Sequence, residues 1–183
     1  MPMRVVPTAI PDVLLIEVDA FRDDRGVFYE LHRQPHYSAV GISDRFVQDN
    51  FSRSTHGVLR GLHYQLEHPQ AKLVTVLSGR VFDVAVDVRR SSPTFGQWVG
   101  CELSGDRPQQ LYIPPGFAHG FCVLSESADF LYKCSDIYAP SGERGIIWND
   151  PSLAISWPIE DPHLSAKDRA FRTLGDMGAD LPR

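Results

Sequence analysis

The run RVFDVAVDVR at 80–89 alternates apolar and polar residues with a period of two. Similar runs recur along most of the chain, cut apart by clusters of Gly, Pro, Ser, Asn and Asp. Such a pattern sends successive side chains to opposite faces of an extended strand and leaves little room for helix. The best further strand candidates are VLLIEV (13–18), RFVQDNFSR (45–53), VLRGLHYQ (58–65), KLVTVL (72–77), QWVGCEL (97–103), HGFCVL (119–124) and DFLYKCSDIY (129–138). Ser78-Gly79, between two of these runs, reads as a hairpin turn. Helix is expected only at QPHYSAVG (34–41) and SAKDRAFRTLG (165–175), the latter capped by Ser165 and stopped by Gly175. Many short antiparallel strands imply an all-β fold, a jelly roll or related closed barrel whose interior can hold a small ligand.

With 183 residues, 43% of them hydrophobic, the chain has enough apolar surface for one core, and a single domain over 1–183 is expected. The net charge of −5 and the lack of a basic block argue against a nucleic acid partner. No run approaches the ~20 apolar residues that span a bilayer. Prolines and Asp12 interrupt the amino-terminal segment where a signal peptide would need an apolar stretch, so a cytoplasmic protein is expected. Cys101, Cys122 and Cys134 are far apart and form no C-x-x-C pair, which makes them buried thiols rather than a disulfide or zinc framework.

Polar residues interrupt several strands: Gln48, Asp49 and Asn50, Arg60 and His63, Lys72, His119, and Tyr132 with Lys133. Each alone suits an outer face, but together they suit a polar cavity, because His, Lys, Arg and Tyr move protons and stabilise anions. In RGLHYQ, strict alternation puts Arg60 and His63 on opposite faces, and Gly61 marks the place for a bulge that would bring them together. In 80–89, Phe82, Val84, Val86 and Val88 form the apolar face. Asp83 and Asp87 point the other way, into solvent unless Asp83 supports Lys72 or His63. Arg89, Arg90, Arg169 and Arg172 read as surface charges.

The P-x-G-x-x-H element of YIPPGFAHGF (112–121) resembles the second motif of the cupins, small jelly-roll barrels. Metal-binding cupins carry H-x-H in their first motif, where this chain has His63-Tyr64-Gln65. One imidazole is missing and an amide replaces it poorly; even with His68 and Glu67 as possible substitutes, no metal is expected.

Read in order, RGLHYQ, KLV, GRVFDVAVDVR, FGQWVG, IPPGFAHGF, LYK, ERGIIWND and LSAKD resemble the dTDP-4-dehydrorhamnose 3,5-epimerases, the RmlC family, from about Val13 to Asp168. The resemblance implies inversion of C3 and C5 of dTDP-4-dehydro-6-deoxy-D-glucose. It also implies that no cofactor is needed, since the C4 ketone acidifies both neighbouring carbons. It makes His63 the base, Asp168 the carboxylate that orients it, Tyr132 the acid, and Lys72 with Arg60 the cations near the C4 oxygen. A phenol of ordinary pKa ~10 and an imidazole near ~6.5 start in the required protonation states at neutral pH. The substrate-binding set implied is Arg25, Glu30, Gln48, Asp49, Asn50, Arg60, Lys72, His119, Glu143 and Lys167, with Tyr138 stacking on thymine. A homodimer is implied too, its site completed by the partner subunit, with Arg25 and Glu30 the residues expected in trans.

Asp168 also fits a plain first-turn helix acid, and Tyr132 a core tyrosine. Three rival functions stay open: an epimerase that inverts only C3 or only C5, a metal-dependent cupin, and a cupin that binds a sugar nucleotide without reaction. The loop LEHPQA (66–71) is the part of the chain that matches the family pattern least.

Overall fold

The computed structural model describes residues 3–183. Its strands are β1 (Met3–Pro7), β2 (Leu14–Val18), β3 (Ala20–Asp23), β4 (Gly26–Tyr29), β5 (Gln48–Thr55), β6 (Leu59–Gln65), β7 (Lys72–Ser78), β8 (Arg80–Asp87), β9 (Trp98–Ser104), β10 (Gln109–Ile113), β11 (Phe117–Val123), β12 (Ser127–Cys134) and β13 (Glu143–Gly145). Two short helices, α1 (Gln34–Ala39) and α2 (Ala166–Arg169), lie outside the sheets. The strands form an antiparallel six-stranded sheet, β1-β2-β10-β7-β12-β5, and a five-stranded sheet, β13-β6-β11-β8-β9. β3 and β4 make a separate ribbon. This is the jelly roll that the alternation called for, of the cupin type that the P-x-G-x-x-H resemblance implied.

The core between the sheets takes Val74, Leu111 and Phe130 from one and Val81, Ala85 and Phe121 from the other. β8 therefore corrects the expectation drawn from its pattern. Its continuous apolar face, Val84, Val86 and Val88, points outward and is buried beneath Leu153, Leu174 and Met177 of the C-terminal segment. The face with Asp83 and Asp87 is the interior one, and both aspartates are fully buried. Arg89 is not a free surface charge either. Its guanidinium bridges Asp87 (2.7 Å) and Asp12 (2.8 Å) and lies 4.6 Å over the Phe117 ring.

Several element bounds differ from expectation for physical reasons. The helix expected over 165–175 is only the single turn Ala166–Arg169, capped by Ser165, whose Oγ accepts the Asp168 N–H at 3.1 Å. The chain then leaves the helix, so that Arg172 bridges Ile146 and the Phe171 ring fills the space a Cβ at Gly145 would occupy. Gly175 falls inside a 3-10 turn, Leu174–Asp176. β10 went unread because Gln110 sits mid-strand; its buried amide is satisfied by Tyr37 Oη, the Leu31 carbonyl and Thr75 Oγ1. β1, β3, β4 and β13 are short and lack a strong pattern. Cys122 and Cys134 are buried and Cys101 is half-buried, all as free thiols. No helix among the described residues is long and apolar enough to cross a membrane.

The irregularity at Gly61 is present. His63 lies opposite His119 and Arg60 opposite Phe121, so β6 carries one more residue than β11 between those pairs. Gly61 has φ +129°, and a Cβ there would fall 2.5 Å from Gly120 Cα. Gly61→Ala is expected to destabilise the protein by about 3 kcal/mol, from backbone strain and overpacking together. That lowers the thermal midpoint by about 6–12 °C for a chain of this size; an unchanged midpoint by calorimetry refutes the account of the bulge.

Candidate active site

A cavity of about 840 Å³ opens between the two sheets, a volume suited to a nucleotide-sized ligand. From the five-stranded sheet it is lined by Arg60 and His63 of β6, His119 of β11 and Glu143 of β13. From the six-stranded sheet come Gln48 and Asn50 of β5, Lys72 of β7 and Tyr132 of β12. Lys167 and Asp168 of α2, and Tyr138 beyond β12, complete the wall.

The His63 ring donates its Nε2–H to Asp168 Oδ1 at 2.8 Å and meets Phe171 edge-on. That bond fixes the tautomer and leaves Nδ1 as the basic nitrogen. Asp168 is almost completely buried. Burial alone would raise its pKa, but the hydrogen bond and charge of His63, with the Gly61 N–H and the Ser165 cap, hold it below the usual carboxylate range. A second pair stands on the opposing strand: His119 Nε2 lies 3.0 Å from both Asp83 oxygens, and its ring stacks over Phe130. Burial lowers the His119 pKa more than the Asp83 anion raises it, so the ring is neutral, donates Nε2–H to Asp83 and keeps Nδ1 as an acceptor.

Lys72 is buried. Its ammonium has a single weak protein bond, 3.5 Å to the His63 carbonyl, and desolvation lowers its pKa. Desolvation also pushes Tyr132 up to about 12, which keeps the phenol protonated. At the rim, Tyr138 is 47% exposed, its hydroxyl donates to Glu143 at 2.9 Å, and Lys167 pairs with the same carboxylate at 2.9 Å. The Arg60 guanidinium donates to Ser54 Oγ and borders the cavity together with His63.

Three expected site residues lie elsewhere in this chain. Asp49 is on the outward face of β5 and pairs with Lys133 at 2.9 Å. Arg25 pairs with Asp23 on the β3–β4 ribbon, and Glu30 with Arg33. Asp83 was missed as the partner of His119, because a pattern cannot tell an inward polar face from a solvated one. His68 turns to Asp136 at 3.3 Å, and no group of three or more His, Cys, Asp or Glu among the described residues is gathered to hold a metal.

A jelly roll whose inter-sheet cavity carries a histidine–carboxylate pair, a desolvated lysine and a desolvated tyrosine defines a cupin-type proton-transfer enzyme. The sequence model of dTDP-4-dehydrorhamnose 3,5-epimerase matches residues 7–176, and the chain belongs to that family. A dTDP-4-dehydrorhamnose 3,5-epimerase from Pseudomonas aeruginosa is 57% identical over 95% of this chain and 97% of its own. The crystal structure of dTDP-6-deoxy-D-glucose-3,5-epimerase RmlC from Legionella pneumophila, in complex with dTDP-4-keto-L-rhamnose, has a TM-score of 0.97 and 55% identity, covering 100% of this chain and 98% of that one. A dTDP-4-dehydrorhamnose 3-epimerase from Streptomyces niveus is 41% identical over 95% of this chain and 85% of its own.

The titrating groups give stability a two-phase acid dependence. His119 has a folded pKa below its unfolded value, so stability falls as pH drops from about 6.5, where the unfolded chain takes up the proton first. Asp168 and Asp87 are also held low, the latter because its bonds from Arg89, Ser92 and Thr94 outweigh burial. Their stabilisation is complete above the unfolded carboxylate pKa of about 4 and is lost as pH falls through the folded values. Urea midpoints measured from pH 8 to 3 are expected to show both phases, and His119→Gln to shrink only the first. A first phase undiminished in that variant contradicts the assignment.

Proposed function

We propose that this protein epimerises dTDP-4-dehydro-6-deoxy-D-glucose at C3 and C5, giving dTDP-4-dehydro-L-rhamnose by proton transfer alone. The observation that carries the reading is the origin of the two proton-transfer groups: His63 stands on the five-stranded sheet and Tyr132 on the six-stranded one, with the cavity between them. A ring held in that space meets a base on one face and an acid on the other, which inversion requires.

His63 Nδ1 takes the C–H proton and the electron pair moves onto the C4 oxygen, while Asp168 stabilises the imidazolium. The Lys72 ammonium, itself partly desolvated, offsets the enolate charge where such an interaction is stronger than in open water. The enolate then takes the Tyr132 proton on the opposite face; the imidazolium gives its proton to solvent and the tyrosinate regains one from solvent before the second carbon is inverted in the same way. Lys167, Arg60 and the exposed Tyr138 ring suit the diphosphate and the thymine. In deuterated water, product labelled at both C3 and C5 is expected. Label at one carbon makes the enzyme a mono-epimerase, and label at neither removes the enzymatic reading. His63→Ala is expected to reduce label incorporation by about 10²–10⁴-fold.

The reading includes a homodimer in which each copy lends Arg25 and Glu30 to the other's site. In support, among the described residues the β3–β4 ribbon pairs with no other strand and leaves Phe21 and Phe28 61% and 66% exposed, an apolar surface that a second copy would cover. Phe28→Asp is expected to shift a wild-type dimer toward monomer in sedimentation and to cut activity at least tenfold. A wild type that sediments as a monomer at full activity rules out sharing of the site.

A further inference from the structure

Gln65 has no place in the chemistry above, yet its environment is unusual. It is 7% exposed, lines the cavity, and its Oε1 is buried without a hydrogen-bond partner. Other glutamines in and around the site are engaged. Gln48 bonds Asn50 and the Tyr138 N–H, Gln70 bonds the Asp136 carbonyl, and the Gln110 amide is fully paired. A buried acceptor left unfilled costs about 1–3 kcal/mol, so a group that persists in this state beside a cavity points to a bound partner.

The neighbours hold the carboxamide in place. A Cβ on Gly142 would fall 3.0 Å from Gln65 Oε1, and the Gly142 carbonyl is tied to the Leu66 N–H at 2.9 Å, so the side chain is closed in from behind. Beyond the Gly61 bulge, His63 and Gln65 share one face of β6, with Cα atoms about 7 Å apart at the usual strand rise. A pyranose ring with its hydroxyls spans that separation. Whichever way the amide is turned, it offers one donor and one acceptor, a match for a hydroxyl.

We infer that Gln65 binds the C2 hydroxyl of the 4-keto hexose and so sets the ring's position against His63, an inference that rests on the reading in the preceding section. The nucleotide is the poorer fit, because Gln65 is closed off from solvent whereas Tyr138 and Lys167, which hold Glu143 opposite it, are about half exposed. Among the sugar hydroxyls, the one at C3 changes face when its carbon inverts. The C2 hydroxyl keeps its configuration throughout, and a fixed carboxamide can hold it from substrate to product.

Gln65→Met keeps the volume and removes both hydrogen-bonding atoms. It is expected to lower kcat/KM for the 4-keto sugar nucleotide about 10–100-fold. Affinity for dTDP alone, by calorimetry, should stay within about twofold of wild type, which also reports that the variant folds. With the 2-deoxy analogue the wild type and Gln65→Met should converge. The inference is overturned if dTDP affinity falls in step with kcat/KM, if the variant loses the same factor on the analogue as on the natural sugar, or if its kinetics are unchanged. A wild type inert toward the 4-keto sugar removes the parent reading as well, whereas an active wild type matched by Gln65→Met removes this inference alone.

Discussion

The close crossing of Gly61 and Gly120 is the constraint on which the site depends. A Cβ on Gly120 would meet the Arg60 carbonyl at 2.8 Å and Leu62 Cδ2 at 3.0 Å, and one on Gly61 would strike the Gly120 backbone. Only two strands without side chains at this point can pack so closely with an extra residue in one of them. The extra residue has three effects. It brings Arg60 to the same cavity as His63, sets His63 directly opposite His119, and directs a backbone N–H toward Asp168. A local irregularity in one ladder thus organises the charges of the whole interior.

Those charges are arranged so that each buried group has one role. Both histidines give Nε2–H to a carboxylate, yet they differ in access: His63 is partly open to the cavity, whereas His119 is almost closed off. Burial keeps His119 neutral, which leaves the positive charge of the cavity to Lys72 and Arg60, with Lys167 at the rim. An ammonium with no carboxylate bonded to it is costly to bury. The cost is tolerable here because Asp83 and Glu143 act on it through space without neutralising it by contact. An enolate oxygen arriving beside Lys72 meets a charge that no protein anion has already claimed, and that favours the charged intermediate over the neutral ketone.

The all-β architecture and most strands were legible because alternation is a local property. The family motifs carried His63, Lys72, His119, Tyr132 and Asp168 into one expected cavity, which they line. What stayed hidden depends on which side of a strand faces inward. The valines of β8 looked like the core face, but both faces of that strand are buried, and the aspartate face lies inside. The solvent-facing alternative for Asp83 therefore fails while its support of Lys72 stands, and Gln65 was read only as a missing imidazole. Asp49 shows the converse error, a polar residue next to true cavity residues that the pleat turns outward. The long C-terminal helix failed for a different reason, since contacts of Phe171 and Arg172 with β13 and the residue after it override a helical pattern.

The same C-terminal segment explains how a one-turn helix can hold a residue as demanding as Asp168. A helix of four residues has no stability of its own, because nucleation costs more than so few hydrogen bonds return. Its position comes from ties on both sides. Upstream, His163 bridges Val58, with the Leu59 N–H donating to its carbonyl at 3.0 Å and its own N–H reaching the Gly57 carbonyl at 2.8 Å. Downstream, the Phe171 ring seats on Gly145, and Arg172 bridges Ile146 while its carbonyl accepts the Ile147 N–H. Both sets of ties run to β6 or to the strand beside it, so the carboxylate is fixed to the same sheet that carries His63. The distance between base and carboxylate is thereby set by a sheet rather than a loop, and a change that loosens the ties at His163, Phe171 or Arg172 acts on the reaction through that one 2.8 Å bond.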